Sequence, residues 1–241
     1  MPTPSSLPEN TGLTWLGEPI PASARLSTTV RKKLLSARNP CGRPNADVMR
    51  PCATCERGQL REYWVVDFPP DMDAQEARLY AEPFRLAPRA AGQNRALRNA
   101  LARRDRYLAT PVAAEFPDWL WLDSGTLPDD TLLTVARDDD FTHGILSSHP
   151  FALWWQQHHL PANPTRARAS FPFPWSPQAG LSALSRTQEE HRHAVARAAR
   201  GGDLEALNAS VAVAYGWPSD LDDETALTHL GDLNRTRATQ V

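Results

Sequence analysis

Residues 138–155, DDDFTHGILSSHPFALWW, completed by residues 170–175, SFPFPW, decide the fold. The apolar positions from Ile145 and Leu146 to Phe151, Trp154 and Trp155 recur at helical spacing, which predicts a core helix packed on preceding strands. On that reading the tryptophans belong to the core rather than to a base-stacking surface. Asp138, Asp139 and Asp140 read as a turn before the helix. His143, His149, His158 and His159 cluster in sequence, yet no carboxylate follows at ligand spacing, so they read as satisfied or solvent-facing histidines.

Working outward, residues 109–114, 119–123 and 132–136 read as short strands separated by Pro, Asp and Gly turns. Residues 10–17, NTGLTWLG, alternate between two glycines like a half-buried strand. Residues 63–68, YWVVDF, read as a buried strand bounded by Pro69-Pro70, with Asp67 fixing a turn or an arginine. Leu26, Val30, Leu34 and Leu35 mark a helix over residues 26–37 with Ser27 or Thr28 as cap. Residues 73–84 predict one short helix capped by Asp73 and ended by Pro83. Downstream, Ser185 and Gln188 form a capping box, Gly201-Gly202 stops that helix, and two more helices follow, from Asp203 to Gly216 and over about residues 223–234. Residues 1–10 are Pro- and Ser-rich and read as a lead-in without structure. The fold class is mixed α+β: a domain of short strands and helices over residues 1–180, then a helical bundle over residues 181–241.

The chain has 241 residues, 41% of them hydrophobic and 22% charged, which is ordinary for a globular protein. No apolar run is long enough for a bilayer, and MPTPSSLPEN lacks the basic and apolar regions of a secretory signal, so a cytoplasmic location with reduced cysteines is expected. The net charge of −2 is unevenly placed: residues 1–110 hold 17 Lys and Arg against 11 Asp and Glu, and the remainder holds 9 against 17. Such a split excludes a uniformly basic coat and favours one basic face, or a chance clustering on a solvated surface.

Several phrases carry a resemblance: NTGL at 10–13, NPCGRPNADVMRP at 39–51, YWVVDF at 63–68, YLATP at 107–111, the 138–155 stretch with FPFPW, and YGWP at 215–218. In wording and order they resemble the target-recognition domain and C-terminal helical tail of MmeI-like and DISARM-type class I adenine-specific DNA methyltransferases, the type IIG/IIL restriction–modification enzymes, without the catalytic domain. The resemblance implies recognition of specific double-stranded DNA on behalf of a methyltransferase catalytic subunit that holds S-adenosylmethionine, in restriction–modification or phage defence.

Within that frame the 39–51 segment is a rigid polar loop. Arg43 and Arg50 carry planar forks suited to phosphate or guanine, with Asn45 between them; the alternative is that these arginines tie the loop to carboxylates such as Asp47. Arg85, Arg89, Arg95, Arg98, Arg103, Arg104 and Arg106 face the lone acid Asp105 and are the phosphate-contacting candidates, against a solvated helical face. In the family the connection over residues 161–170 contributes base-reading side chains, here Thr165, Arg166 and Arg168 on an extended segment. This chain departs from the family there in length and in Gly and Thr content, which is where specificity is decided.

It departs again at residues 52–58, CATCERG. Cys41, Cys52 and Cys55 give C-x10-C-x2-C, and a Cys-x-x-Cys turn can present two thiolates to zinc; a fourth ligand is not evident, and packed or free thiols are the default. A cofactor-binding G-x-G is absent from the sequence, and Pro69-Pro70 lacks the aromatic that an adenine-gripping loop requires. The only lysines, Lys32 and Lys33, are far in sequence from the 138–140 acids, against a metal-dependent nuclease. The sequence therefore reads as a recognition module without catalytic residues. Two other classes stay open: a non-catalytic remnant that binds a protein partner through its helical tail, and a small zinc-stabilised interaction module.

Overall fold

The computed structural model describes residues 3–87, 94–160, 162–218 and 220–239. In chain order the elements are β1 (Thr14–Leu16), β2 (Arg25–Leu26), α1 (Thr28–Ser36), β3 (Met49–Glu56), β4 (Gln59–Val66), α2 (Ala74–Arg78), α3 (Ala81–Leu86), α4 (Arg95–Leu101), β5 (Arg106–Pro111), β6 (Leu120–Asp123), β7 (Leu127–Pro128), β8 (Leu132–Val135), α5 (Asp140–Leu146), α6 (His149–His158), α7 (Arg166–Ser170), α8 (Arg186–Gly201), α9 (Leu204–Tyr215) and α10 (Asp223–Ala238). The architecture is mixed α+β with a helical C-terminal region, as the alternation of strand and helix patterns predicts.

Two small sheets form, one in the order β1-β8-β5-β6 and the other β2-β4-β3-β7. The first is antiparallel throughout, with Leu108 opposite Val135 and Trp121. In the second, β3 and β4 make a long hairpin closed by Arg57 and Gly58, both at positive φ, the geometry of a type I′ turn. The sequence reading missed β7, a two-residue strand that runs parallel to β3 and ties the hairpin to the first sheet. Gly17 permits this junction: a Cβ there would lie 2.0 Å from the Asp129 carbonyl oxygen, so only glycine lets the chain pass from β1 alongside residues 128–129.

The decisive stretch folds as predicted in kind, but as two helices. Asp139 accepts from the Thr142 amide and caps α5; Ser148 and Pro150 then open α6. Trp154 and Trp155 are fully buried among Phe151, Phe171 and Phe173, each worth about 1.5–3 kcal/mol or more of burial. Their indole nitrogens donate to the Ala167 and Ala114 carbonyls at 3.0 and 3.2 Å. This core continues into Val195, Leu207, Val211 and Leu230, so the C-terminal helices pack on the same centre as β5 and β8. Gly144 allows the close approach of α5 to α8, since a Cβ there would meet Val195 Cγ1 at 2.8 Å.

Three local expectations are corrected. Residues 73–84 form two short helices rather than one: Asp73 does cap α2, but Pro83 sits in the first turn of α3, where its missing N–H breaks no helical bond. From residue 3 onward the lead-in is ordered: Leu7 is buried and donates its amide to Ala169, and Ser5 is bonded through both backbone groups to Asn234. Residues 166–170 are a helical turn rather than an extended segment, held by Asn10, whose Nδ2 lies within bonding reach of the Arg168, Ala169 and Phe171 carbonyls.

Candidate nucleic-acid interface

The proline-rich loop over residues 39–51 is pinned from inside. Asn45 is 1% exposed, donates to the Leu34 carbonyl at 2.8 Å and accepts from Asn39 Nδ2 at 2.6 Å, so it joins the loop to the end of α1 and presents nothing outward. Arg43 stands exposed and pairs with Glu76 in the first turn of α2; hydrogen bonds to Tyr80 and Glu76 raise its pKa above the usual guanidinium value. Arg50 is part-exposed with Nε 3.3 Å from Asp67. Both arginines are tied to carboxylates, but to Glu76 and Asp67; Asp47 instead accepts from the Tyr80 hydroxyl.

The arginine run does not face a lone acid once folded. Arg98 is 10% exposed and clamped between Asp67, at 2.7 and 2.8 Å, and Glu18, at 2.7 and 2.8 Å, which removes it from any surface. Burial lifts the Asp67 carboxyl above its ordinary range, with Arg98 opposing that shift. Arg85 pairs with Glu82, Arg104 with Asp138 at 3.4 Å, and Arg106 with Asp140 at 2.7 Å while stacking on Trp121. Burial would raise the Asp140 carboxyl, yet Arg200 and Arg106 hold it below the ordinary range. Arg95 donates to the Pro70 carbonyl. Arg103 is exposed and has no partner among the described residues; Arg89 lies outside them. Residues 138–140 are thus more than a turn: Asp138 and Asp140 neutralise two arginines of this run, Arg104 and Arg106.

In the 161–170 connection the two arginines part company. Arg166 is part-exposed without a carboxylate partner among the described residues, and Thr165 beside it bonds Asn163. Arg168 is fully buried, its guanidinium 4.4 Å from the centre of the Phe173 ring, and its three nitrogens have no acceptor among the described residues. Burial pushes its pKa down to about 9. It presents no atom to a duplex in this conformation, because residues 166–170 coil into α7 and turn it inward.

The cysteines do not converge. Cys52 and Cys55 lie three apart on β3, hence on opposite faces of a strand rather than in a turn, and Cys41 donates to the Leu79 carbonyl. Burial pushes the Cys52 thiol up to about 12. Among the described residues no group of three or more His, Cys, Asp or Glu is placed to hold a metal ion. Three of these histidines pack and one is exposed: His143 bonds the Trp119 carbonyl, His158 lies against Trp154 and His159 stacks on Trp155, while His149 pairs with Asp223 at the surface. No helix among the described residues is long and apolar enough to cross a membrane.

Sequence reasoning placed α1 but missed the charge it carries. Arg31, Lys32, Lys33 and Arg38 have no carboxylate partner among the described residues. The available signal was the acid-free interval of residues 19–46, which holds six cations.

No protein-family model and no curated protein matches the chain. Among solved structures its fold is similar to that of the Type IIL restriction-modification enzyme MmeI in complex with DNA, with a TM-score of 0.61 and 12% identity. The match covers 99% of this chain and 36% of that one, so the chain spans about a third of that enzyme's length. At this identity the likeness is one of fold.

Proposed function

We propose that the chain is a sequence-specific duplex-DNA recognition module that serves a separate catalytic subunit, which binds S-adenosylmethionine and methylates adenine in restriction–modification or phage defence. One observation carries this reading: nearly the whole chain superposes on about a third of a restriction-modification enzyme whose structure was solved on DNA. The segment over residues 39–51 supports it, because Arg43 is displayed on a loop fixed by Asn39, Asn45 and prolines and Arg50 on the start of β3, opposite Val65. In this reading Arg43, Arg50, Thr165 and Arg166 meet base edges, and Arg95, Arg103 and Arg104 meet phosphates. Arg43 exchanges an exposed ion pair for a bidentate contact, and exposed ion pairs are worth only about 0–1 kcal/mol.

A second reading has its own observation. Leu181, Leu204 and Val213 are exposed in the helical region, at 65%, 59% and 50%, where a protein partner could cover them. This chain would then be a remnant or regulator that binds protein.

The test is selection of a preferred site from randomised duplexes with the catalytic partner present, then competition between selected and scrambled duplexes at fixed salt. Arg166→Ala is expected to shrink the affinity ratio by about 1–3 kcal/mol, whereas Arg168→Met, inside the core, leaves it unchanged. If no sequence enriches and no duplex binds, the recognition reading fails.

A further inference from the structure

We propose that the outer face of α1 is a track for the phosphate backbone of the duplex, centred on Lys32 and flanked by Arg31, Lys33 and Arg38. This rests on the DNA reading above and adds a surface that reading does not use. Residues 19–46 contain six cations and no carboxylate. Two of these, Arg25 and Arg43, are ion-paired with carboxylates from other segments, and the remaining four make no ion pair among the described residues. Glu82, the acid that feels Lys33, is already engaged by Arg85.

Helical geometry orders this charge. Leu34 is buried and Val30 packs beside it against the Phe68 and Tyr80 core, which turns Lys32 to the opposite side at about 100° per residue. Thr28, Thr29 and Ser36 are exposed on that outer side, and Arg31 and Lys33 fall on its two flanks. The Arg31 guanidinium carbon lies 3.5 Å from the centre of the Trp64 ring, so its fork is positioned in advance. Arg38 continues the charge just beyond the C-cap at Ala37.

The chemistry fits a phosphate backbone better than base edges. Lysine ammoniums are flexible point charges that follow phosphates, and the only two lysines among 26 basic residues stand side by side here. Nine residues of helix extend about 13 Å, enough to reach more than one phosphate of a strand whose charges recur every roughly 3.4 Å of duplex axis. In the 85–106 run Arg85, Arg98, Arg104 and Arg106 must first give up their own carboxylates to bind phosphate; the cations of α1 do not.

The experiment measures binding of the full chain to labelled duplexes of several unrelated sequences, at salt between about 50 and 200 mM, for the wild type and for Lys32→Ala/Lys33→Ala. The double variant is expected to lose affinity for every duplex alike and to flatten the log–log salt slope by about 1.8, or about 0.9 per lost phosphate contact. Lys32→Arg/Lys33→Arg should restore both, and Arg186→Ala, an exposed arginine paired with Glu190 on α8, should change neither. Binding and slope unchanged in the alanine variant, with the wild type binding DNA, overturn the track and leave the recognition reading standing. No binding by the wild type, alone or with its catalytic partner, overturns both.

Discussion

His158, on the last turn of α6, lies 7% exposed with its ring centre 4.2 Å from that of Trp154, beside a cavity of about 330 Å³ also lined by Ser5, Thr228 and Asn234. Burial lowers its pKa to about 4, with the nearby Arg166 charge pushing in the same direction. The unfolded chain carries this imidazole near its ordinary value of about 6.5, so between those values the unfolded state takes up a proton that the folded state refuses. Its contribution is fully present above about pH 6.5 and is lost as pH falls toward 4, by about 2 kcal/mol at pH 5. Denaturant melts at pH 7 and pH 5 should show this loss in the wild type and a smaller one in His158→Phe, which keeps the ring. Identical pH dependence in the two proteins would remove His158 as the titrating group.

Between elements, the Arg98 guanidinium decides how the two sheets sit together. Glu18 follows β1, Asp67 follows β4, and Arg98 on α4 bonds both, with all three side chains at most 10% exposed. Removing the cation takes the shared bidentate partner from two buried carboxylates, leaving Arg50 to Asp67 and the Asn94 amide to Glu18, and breaking a buried pair costs more than the pair itself contributes. Arg98→Ala should therefore destabilise the fold by about 3–5 kcal/mol in chemical unfolding, and Arg98→Lys should recover only part, because an ammonium cannot reproduce the fork. A loss under about 1 kcal/mol would show that the sheets are held by other contacts. The same Asp67 side chain also anchors Arg50, at the start of β3.

Across the whole molecule one core joins segments far apart in sequence. Leu108 and Leu133 from the first sheet, Ile145 and Trp154 from the decisive stretch, and Val195 and Leu230 from the C-terminal helices belong to one buried cluster. Asn234 adds a polar tie, bonding Ser5 near one end of the chain and the Ser170 carbonyl at the end of α7. A fragment of residues 1–180 exposes the face of α5 that packs on α8, so it should lose the sharp thermal transition and the near-ultraviolet tryptophan signal of the full chain. A sharp melt of that fragment would contradict a shared core.

By itself the sequence determined the local structure. Periodicity located β1, β4, β5, β6, β8 and the C-terminal helices but not β2, β3 or β7; Ser185 and Gln188 formed the predicted box, and the paired tryptophans entered the core, because spacing, caps and apolar bulk act within a few residues. It offered Asp67 a turn or an arginine, and arginines are what Asp67 meets. Which arginine, and which cations lack a carboxylate partner among the described residues, was decided only by tertiary structure. Asp138 and Asp140 neutralise Arg104 and Arg106 from more than thirty residues away, and Glu18 reaches Arg98 across eighty. Arg168 turns inward because Asn10, over 150 residues distant, holds the carbonyls of its turn. A side chain's charge is written in the sequence, but its partner is set by where the backbone returns, and that depends on burying one common core.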